Sequence, residues 1–273
     1  MIRLRESLAK RLGKPQEVAA AEYPVREMAE QLMQLTDQQF GRYAFYHEPL
    51  AGRISASEQE RYTERANACG REEAKLLKAE MELAEDIKKP VSAEDIKKPI
   101  STEIKKKHIS ADACAKHLGI NVTRQTAAAG GGHVIFAQYT EPDLVELFTD
   151  CLDKLEHTIR ENGLQDLPGE MADTEMVSEI LIFHEIFHAI EHQKREQIYT
   201  QTETIELWKK PFSNRSRILA LSEMSAMAFA QEMTGIVYSP YMLEVLLVYG
   251  YNPKAACALY EEILDAAGVR EIK

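Results

Sequence analysis

Apolar residues recur at helical spacing in two stretches of the first 83 residues, which predicts a helical N-terminal region. In the first stretch, Val25, Met28, Leu32 and Leu35 fall on one face of a helix. The second stretch, residues 64–87, is rich in Ala, Glu, Lys and Leu, which favour helix. The segment FGRYAFYHEPLAG between them lacks this spacing. We expect it to form loops whose aromatic side chains pack on the helices.

A short sequence is repeated within residues 84–107. AEDIKKPVS begins at Ala84, AEDIKKPIS begins at Ala93, and TEIKKKHIS follows. The proline in each early copy removes a backbone donor and restricts the preceding residue, which disfavours helix. Copies this short, with so few apolar residues, cannot build the core of a repeat fold. We therefore predict a solvated linker between a helical region at 1–83 and a domain at 108–273; a lysine-rich docking segment is the alternative.

The predicted domain combines a few strands with several helices. ISADACAKHLGINVTRQT resembles the start of a helix-turn-helix DNA reader, but the glycines at 130–132 would stop a second helix, so we expect a helix that leads into a strand. Residues 134–136 and 144–148 favour strands, and Glu-Pro-Asp between them favours the turn of a hairpin. Helical periodicity and capping residues then predict helices at 149–161, 173–197, 213–232, 241–249 and 253–267. The whole pattern predicts an α+β fold that is mostly helical.

The charge balance argues against two classes of partner. Against 33 Lys and Arg residues stand 44 Asp and Glu residues, for a formal net charge of −11. A charge of this sign disfavours nucleic acid and anionic membrane surfaces. No apolar run approaches the ~20 residues of a membrane helix, and the basic N-terminus lacks an apolar signal segment. We therefore expect a soluble, cytoplasmic protein that binds neither nucleic acid nor membrane.

The four cysteines are spread along the chain, and no two of them form a CxxC pair. Reduced, buried thiols are therefore expected, rather than a cysteine zinc site or a disulfide framework. Any metal in this protein must be held by histidine and glutamate side chains.

The strongest chemical signal is EILIFHEIFHAIEH, residues 179–192, which contains an HExxH motif. His184 and His188 are four residues apart, so on a helix both imidazoles lie on one face and can bind one ion. Zn²⁺ binds histidine nitrogen and, in catalytic sites, takes three protein ligands. Glu185 is the candidate catalytic residue, because its carboxylate can take a proton from the attacking water.

The residues that flank this motif are apolar, so the helix is expected to be buried on nearly every side. Burying two histidines and a glutamate without partners costs free energy, and a bound metal removes that cost. His192 continues the series of histidines, but it lies about 12 Å along the helix from His184 and cannot reach the same ion. We expect His192 to have a structural role beside the site.

A third metal ligand has to come from elsewhere in the chain. The pattern HExxHxxGxxH requires a glycine and a histidine where this chain has Glu191 and Lys194. Glu223 stands among apolar residues in SRILALSEMSAMAFAQEM, and a buried glutamate needs a partner or a metal. We therefore predict Glu223 as the third ligand. The alternatives are that Glu223 pairs with Arg217 or with solvent, or that Glu232 is the ligand.

HEIFHAIEH followed by EMSAMAFAQEM resembles the ImmA/IrrE-type zincin metallopeptidases, which combine an HExxHxxxH helix with a later ExxAxxFA helix. The resemblance covers roughly the last 140 residues. It implies a zincin-like domain in which a small sheet lies beside the HExxH helix, and an edge strand near residues 133–139 pairs with an extended peptide. It also implies zinc held by His184, His188 and Glu223, with Glu185 as general base. Known members act on repressor-type regulators, so the implied substrate is a protein, such as a transcriptional regulator.

The expected reaction is attack of water on a peptide carbonyl, which also needs a donor that stabilises the oxyanion. The candidates for that donor are His133, Tyr238, Tyr241 and Tyr249. Two other functions stay open: a zincin-fold regulatory binding module that cleaves nothing, and another metal-dependent amide hydrolase. The presence of Glu185 favours an enzyme, because a pure scaffold needs no general base.

Overall fold

The computed structural model describes residues 23–88, 109–126, 135–168, 170–208 and 214–269. Over these ranges the chain has an α+β fold that is mostly helical, with two small sheets, as the sequence predicts. A search of the same ranges finds no helix that is both long and apolar enough to cross a membrane.

Ten α-helices are described. They are α1 (Val25–Leu32), α2 (Asp37–Tyr46), α3 (Ala56–Lys88), α4 (Ala111–His117), α5 (Asp150–Glu161), α6 (Thr174–Gln193), α7 (Tyr199–Thr202), α8 (Leu219–Thr234), α9 (Leu243–Tyr249) and α10 (Pro253–Ala267). Several of their ends carry the expected caps. The Asp173 side chain accepts hydrogen bonds from the first turn of α6, and Asn252 does the same for α10. Gly235 and Gly268 adopt left-handed conformations, with φ of 76° and 70°, and end α8 and α10.

Three strands form the first sheet, in the order β1-β3-β2: β1 (Asn121–Gln125), β2 (Ala137–Thr140) and β3 (Leu144–Phe148). The predicted hairpin is confirmed, since β2 pairs antiparallel with β3 through a turn at residues 141–143. Its first strand begins at Ala137, later than the sequence predicts, and His133 lies outside the described residues. Helix α4 leads into β1, which pairs parallel with β3, so the expected helix-to-strand connection is confirmed. The strand β2 therefore lies at an edge of the sheet.

The prediction of a loop over FGRYAFYHEPLAG is wrong for its first half, because residues 40–46 lie in α2. Thr36 and Gln39 form a capping box, in which each side chain accepts a hydrogen bond from the other residue's backbone N–H. The helix then turns Phe40, Tyr43 and Phe45 into the core. These three aromatic residues pack as expected, but from a helix, whereas the packing expected for Tyr46 is wrong, because its side chain is exposed.

The helix predicted at 213–232 begins six residues late, at Leu219. The preceding residues form part of an unpredicted antiparallel hairpin of β4 (Thr204–Trp208) and β5 (Asn214–Arg217). The cap expected at residue 213 or 214 is therefore wrong, because Ile218 occupies the N-cap position of α8. The residue at its N-cap, Ile218, has no side chain that can accept a hydrogen bond. The helix predicted at 173–197 also differs, since α6 ends at Gln193.

A single cluster of buried apolar side chains runs through the described residues, from Val25 in α1 to Leu264 in α10. The four cysteines are free thiols buried in this core, as expected. Helix α6 is enclosed by it, because every residue from Ile180 to Glu191 is buried.

Helix α3 packs closely across the middle of α8. The Ser225 hydroxyl in α8 donates to the backbone carbonyl of Ala66 at 2.7 Å. One turn further along α3, a Cβ atom at Gly70 would lie 2.1 Å from the Ser225 carbonyl oxygen. The two backbones can approach this closely only because residue 70 is glycine.

The N-terminal helical region also supplies charges to both ends of α8. Near the start of α8, the buried Glu48 carboxylate accepts a hydrogen bond from the Ala220 N–H at 2.9 Å. Near its end, the Lys78 ammonium lies 3.6 Å from the Glu232 carboxylate and donates to the Glu232 backbone carbonyl. An acidic group at the start of a helix and a basic group at its end both match the helix dipole.

Helix α3 reaches Lys88, and residues 89–108 lie outside the described ranges. The predicted division of the chain at residues 83 and 107 therefore stays a prediction.

We expect Gly70→Ala to lower the free energy of unfolding by about 1–3 kcal/mol, because the added methyl group overlaps the Ser225 carbonyl. This sign is opposite to intrinsic helix propensity, which favours alanine. Urea denaturation followed by circular dichroism measures the change. The matched control is Gly52→Ala, whose Cβ would meet no atom within 4 Å. Equal stabilities of the two variants would contradict the close packing of α3 on α8.

Candidate metal centre

The structure brings three predicted ligands together where helices α6 and α8 meet. His184 and His188 come from α6 and Glu223 from α8, and their ligand atoms all lie within 4.8 Å of one another. The two Nε2 atoms are 3.1 Å apart. The Glu223 carboxylate lies 3.5 Å from Nε2 of His184 and 3.9 Å from Nε2 of His188. This group could hold a metal ion.

The donor set and its spacing fit zinc. Zinc–ligand bonds of ~2.0–2.2 Å in a tetrahedron place neighbouring ligand atoms about 3.3 Å apart, close to the spacing found here. Both imidazole side chains are only 4% exposed, and their Nε2 atoms face each other. A cation between them satisfies both lone pairs. The Glu223 side chain is 22% exposed, although its Oε2 atom is itself buried.

Aromatic packing fixes the distance between the two helices that carry the ligands. The Phe229 ring of α8 lies with its centroid 6.3 Å from that of Phe183 and 5.7 Å from that of Phe187. All three rings are fully buried. The helices that carry His184 and Glu223 are thus held together by apolar contacts that do not depend on a metal.

For both kinds of ligand, burial and the neighbouring polar and charged groups shift the pKa in opposite directions. Burial raises the pKa of Glu223, but hydrogen bonding to His184 and the positive charge of protonated His188 outweigh it and hold the pKa at about 2. Burial lowers the pKa of His188, but Glu191 and Glu223 outweigh it, so this pKa is raised. The pocket therefore favours positive charge beside an ionised Glu223, as a cation site does.

Glu185 is fully buried beside the three ligand residues. Its Oε2 atom accepts a hydrogen bond from the Tyr139 backbone N–H at 2.6 Å. This N–H is an outward-facing donor of β2, at the edge of the three-stranded sheet. The other carboxylate oxygen, Oε1, has no hydrogen-bond partner among the described residues. The edge strand thus holds one oxygen of Glu185 and leaves the other unpaired within the described residues.

A second buried carboxylate, Glu191, contacts the far side of His188. Its Oε2 atom lies 3.5 Å from Nδ1 of His188 and accepts a hydrogen bond from the Ser222 hydroxyl at 2.7 Å. Burial raises the pKa of Glu191, but hydrogen bonding to His188, the positive charge of protonated His188 and the Thr200 and Gln201 side chains together outweigh this and hold the pKa at about 2. No sequence motif assigned Glu191 a role. Its spacing was the available signal, since a residue three positions after a ligating histidine shares its helix face.

The alternative ligands lie elsewhere. Nδ1 of His192 is 3.3 Å from the Glu141 carboxylate, just after β2, and His192 is not part of the metal-binding group. Glu232 pairs with Lys78, as described above. Arg217 donates to the Gln201 side chain instead of pairing with Glu223.

The four candidate oxyanion donors differ in their surroundings. Tyr238 and Tyr241 are buried, and neither hydroxyl has a hydrogen-bond partner in the described part of the chain. Burial raises the pKa of both, and the charge of Glu223 raises that of Tyr241 further. Tyr249 is half-buried, and His133 lies outside the described ranges. Tyr241 is thus the candidate whose pKa is raised by the charge of a predicted ligand, Glu223.

We compared the chain with protein-family models, with curated proteins and with solved structures, and none of these comparisons found a match. The buried HxxxH pair with its downstream glutamate is consistent with a zincin-like site. The assignment of this centre therefore depends on its geometry and its donor chemistry.

Proposed function

We propose that this chain is a zinc-dependent metallopeptidase that hydrolyses a peptide bond in a protein substrate. The observation that carries the proposal is the group formed by His184, His188 and Glu223, with the buried Glu185 beside it. Two histidines and one glutamate are a common ligand set of catalytic zinc. The partial exposure of Glu223 supports a site that water and substrate can enter.

The bound zinc would supply Lewis-acid polarisation of the attacking water and of the substrate carbonyl. The residues of the chain would carry out the proton transfers and orient the general base. Oε1 of Glu185 takes a proton from the water, whose oxygen bonds to the carbonyl carbon, and passes that proton to the leaving amine as the C–N bond breaks. The Tyr139 N–H holds Oε2 throughout, which keeps Glu185 in one orientation.

The position of β2 supports an extended peptide as substrate. An edge strand offers unpaired backbone groups to which another strand can add. Here that edge contacts Glu185 directly, so a chain added to it lies next to the general base. The net charge of −11 supports a protein partner over nucleic acid. A transcriptional regulator is the substrate class that the family resemblance implies, and a cytoplasmic location agrees with it.

Metal analysis with matched variants tests the proposal. We expect about one zinc per chain in the native protein and in Glu185→Gln, and much less in Glu223→Gln, which loses a charged ligand. Cleavage of a peptide library, read by mass spectrometry of new termini, should fall at least about 100-fold in Glu185→Gln. Zinc far below one per chain in the native protein, under non-chelating conditions, would contradict the metal site. Bound zinc together with equal peptide cleavage by the native protein and Glu185→Gln would indicate a non-catalytic binding module.

Tyr139→Pro tests whether the edge strand orients the general base. Proline removes the N–H that Glu185 accepts from, and an edge strand tolerates proline where this N–H is outside the ladder. We expect kcat to fall on the order of tenfold or more because the carboxylate loses its fixed orientation. Zinc content should stay as in the native protein. Tyr139→Ala is the matched control, since it removes the same side chain and keeps the N–H. If both variants retain the same kcat, the backbone contact does not position Glu185.

A further inference from the structure

We infer that Glu191 and Ser222 are positioning residues that orient the zinc ligand His188 and join the two ligand-bearing helices at the site. This inference rests on the proposed function and deepens it. It names the residues outside the ligand set on which the metal affinity depends.

The two side chains meet at the imidazole nitrogen that faces away from the other ligands. The Ser222 hydroxyl donates to Oε2 of Glu191 at 2.7 Å. Nδ1 of His188 lies 3.5 Å from the same Oε2 atom and 3.3 Å from the Ser222 oxygen. A neutral histidine carries its proton on one ring nitrogen and offers a lone pair on the other. Oxygen atoms beside Nδ1 favour the proton there, which leaves the Nε2 lone pair for the metal.

The contact between Glu191 and His188 is buried. The Glu191 and His188 side chains are 9% and 4% exposed. A carboxylate in such a place is costly unless polar groups compensate it. His188 and Ser222 compensate the Glu191 carboxylate at the site, and the Thr200 and Gln201 side chains contribute beside them. An apolar residue would fill the same volume at lower cost if the position were only structural.

The contact also crosses between the helices. Glu191 follows His188 by three residues on α6, so both side chains lie on one helix face. Ser222 stands on α8, directly before Glu223. The hydrogen bond from Ser222 to Glu191 therefore links the ring of one ligand to the backbone that carries another. Loss of this bond should affect both the orientation of His188 and the approach of Glu223.

Zinc affinity measured by chelator competition tests this inference without an activity assay. We expect Glu191→Ala to weaken zinc binding about 10–100-fold, in the range found for outer-shell partners of metal-bound histidine. Glu191→Gln should recover part of the loss, because its amide oxygen still accepts from Nδ1–H. Ser222→Ala should weaken binding less than Glu191→Ala does. The matched control is Glu179→Gln on the same helix, whose carboxylate accepts the Ala111 N–H at 2.6 Å, and its affinity should stay at the native value.

The visible absorption of the Co²⁺-substituted protein provides a second readout, because it reports ligand geometry directly. We expect an altered band in Glu191→Ala and a near-native band in Glu191→Gln and Glu179→Gln. The double variant Glu191→Ala with Ser222→Ala should lose less than the two single losses combined, since both residues act through one contact. If Glu191→Ala does not fold, Glu191→Gln and Ser222→Ala decide the question by their affinities.

Native affinity and a native cobalt spectrum in the folded Glu191 and Ser222 variants would overturn the inference while leaving the metal site intact. Failure of the native protein to bind zinc would instead overturn the proposed function. Zinc binding by the native protein therefore distinguishes failure of this inference from failure of the proposed function.

Discussion

The contact between helices α6 and α8 is the constraint on which the rest of the candidate site depends. Both helices are apolar enough to be buried, yet together they carry two histidines and three carboxylates to the place where they meet. The packing of Phe229 against Phe183 and Phe187 brings the helices together, and the polar side chains must then satisfy one another within that space. This apolar contact sets how closely the polar residues of the two helices approach one another.

The N-terminal helices contribute to the same constraint from the other side of α8. Glu48 caps its start, Ala66 and Gly70 contact its middle, and Lys78 contacts its end. None of these residues belongs to the metal-binding group. Their common effect is to fix the axial position and the tilt of the helix that carries Glu223. The region before the repeated sequence therefore supports the site directly, although the motif that defines the site lies far from it in sequence.

Local patterns predict much of this molecule. The HExxH spacing, the isolated Glu223 in an apolar helix, the hairpin turn and the caps at Asp173, Asn252 and Gly268 each depend on residues close in sequence. What the sequence did not show depends on pairs that are distant along the chain. Glu48 is 172 residues from Ala220, Tyr139 is 46 from Glu185, and Glu191 is 31 from Ser222. The β4–β5 hairpin was missed for another reason. The apolar–polar alternation of β4, TIELW, was not recognised as a strand, and the helix predicted from residue 213 covered the short, polar β5, NRSR.

The hydrogen bond from Tyr139 to Glu185 has a consequence for any peptide that adds to β2. In a strand ladder, each outward N–H of the edge strand would bind one carbonyl of the incoming chain. The Tyr139 N–H is already engaged, so the incoming carbonyl opposite to it receives no hydrogen bond from the strand. That carbonyl would lie beside Glu185, the proposed general base, and would stay available for polarisation. Under the proposed function, the gap in the ladder would determine which residue of a docked chain occupies the reactive position.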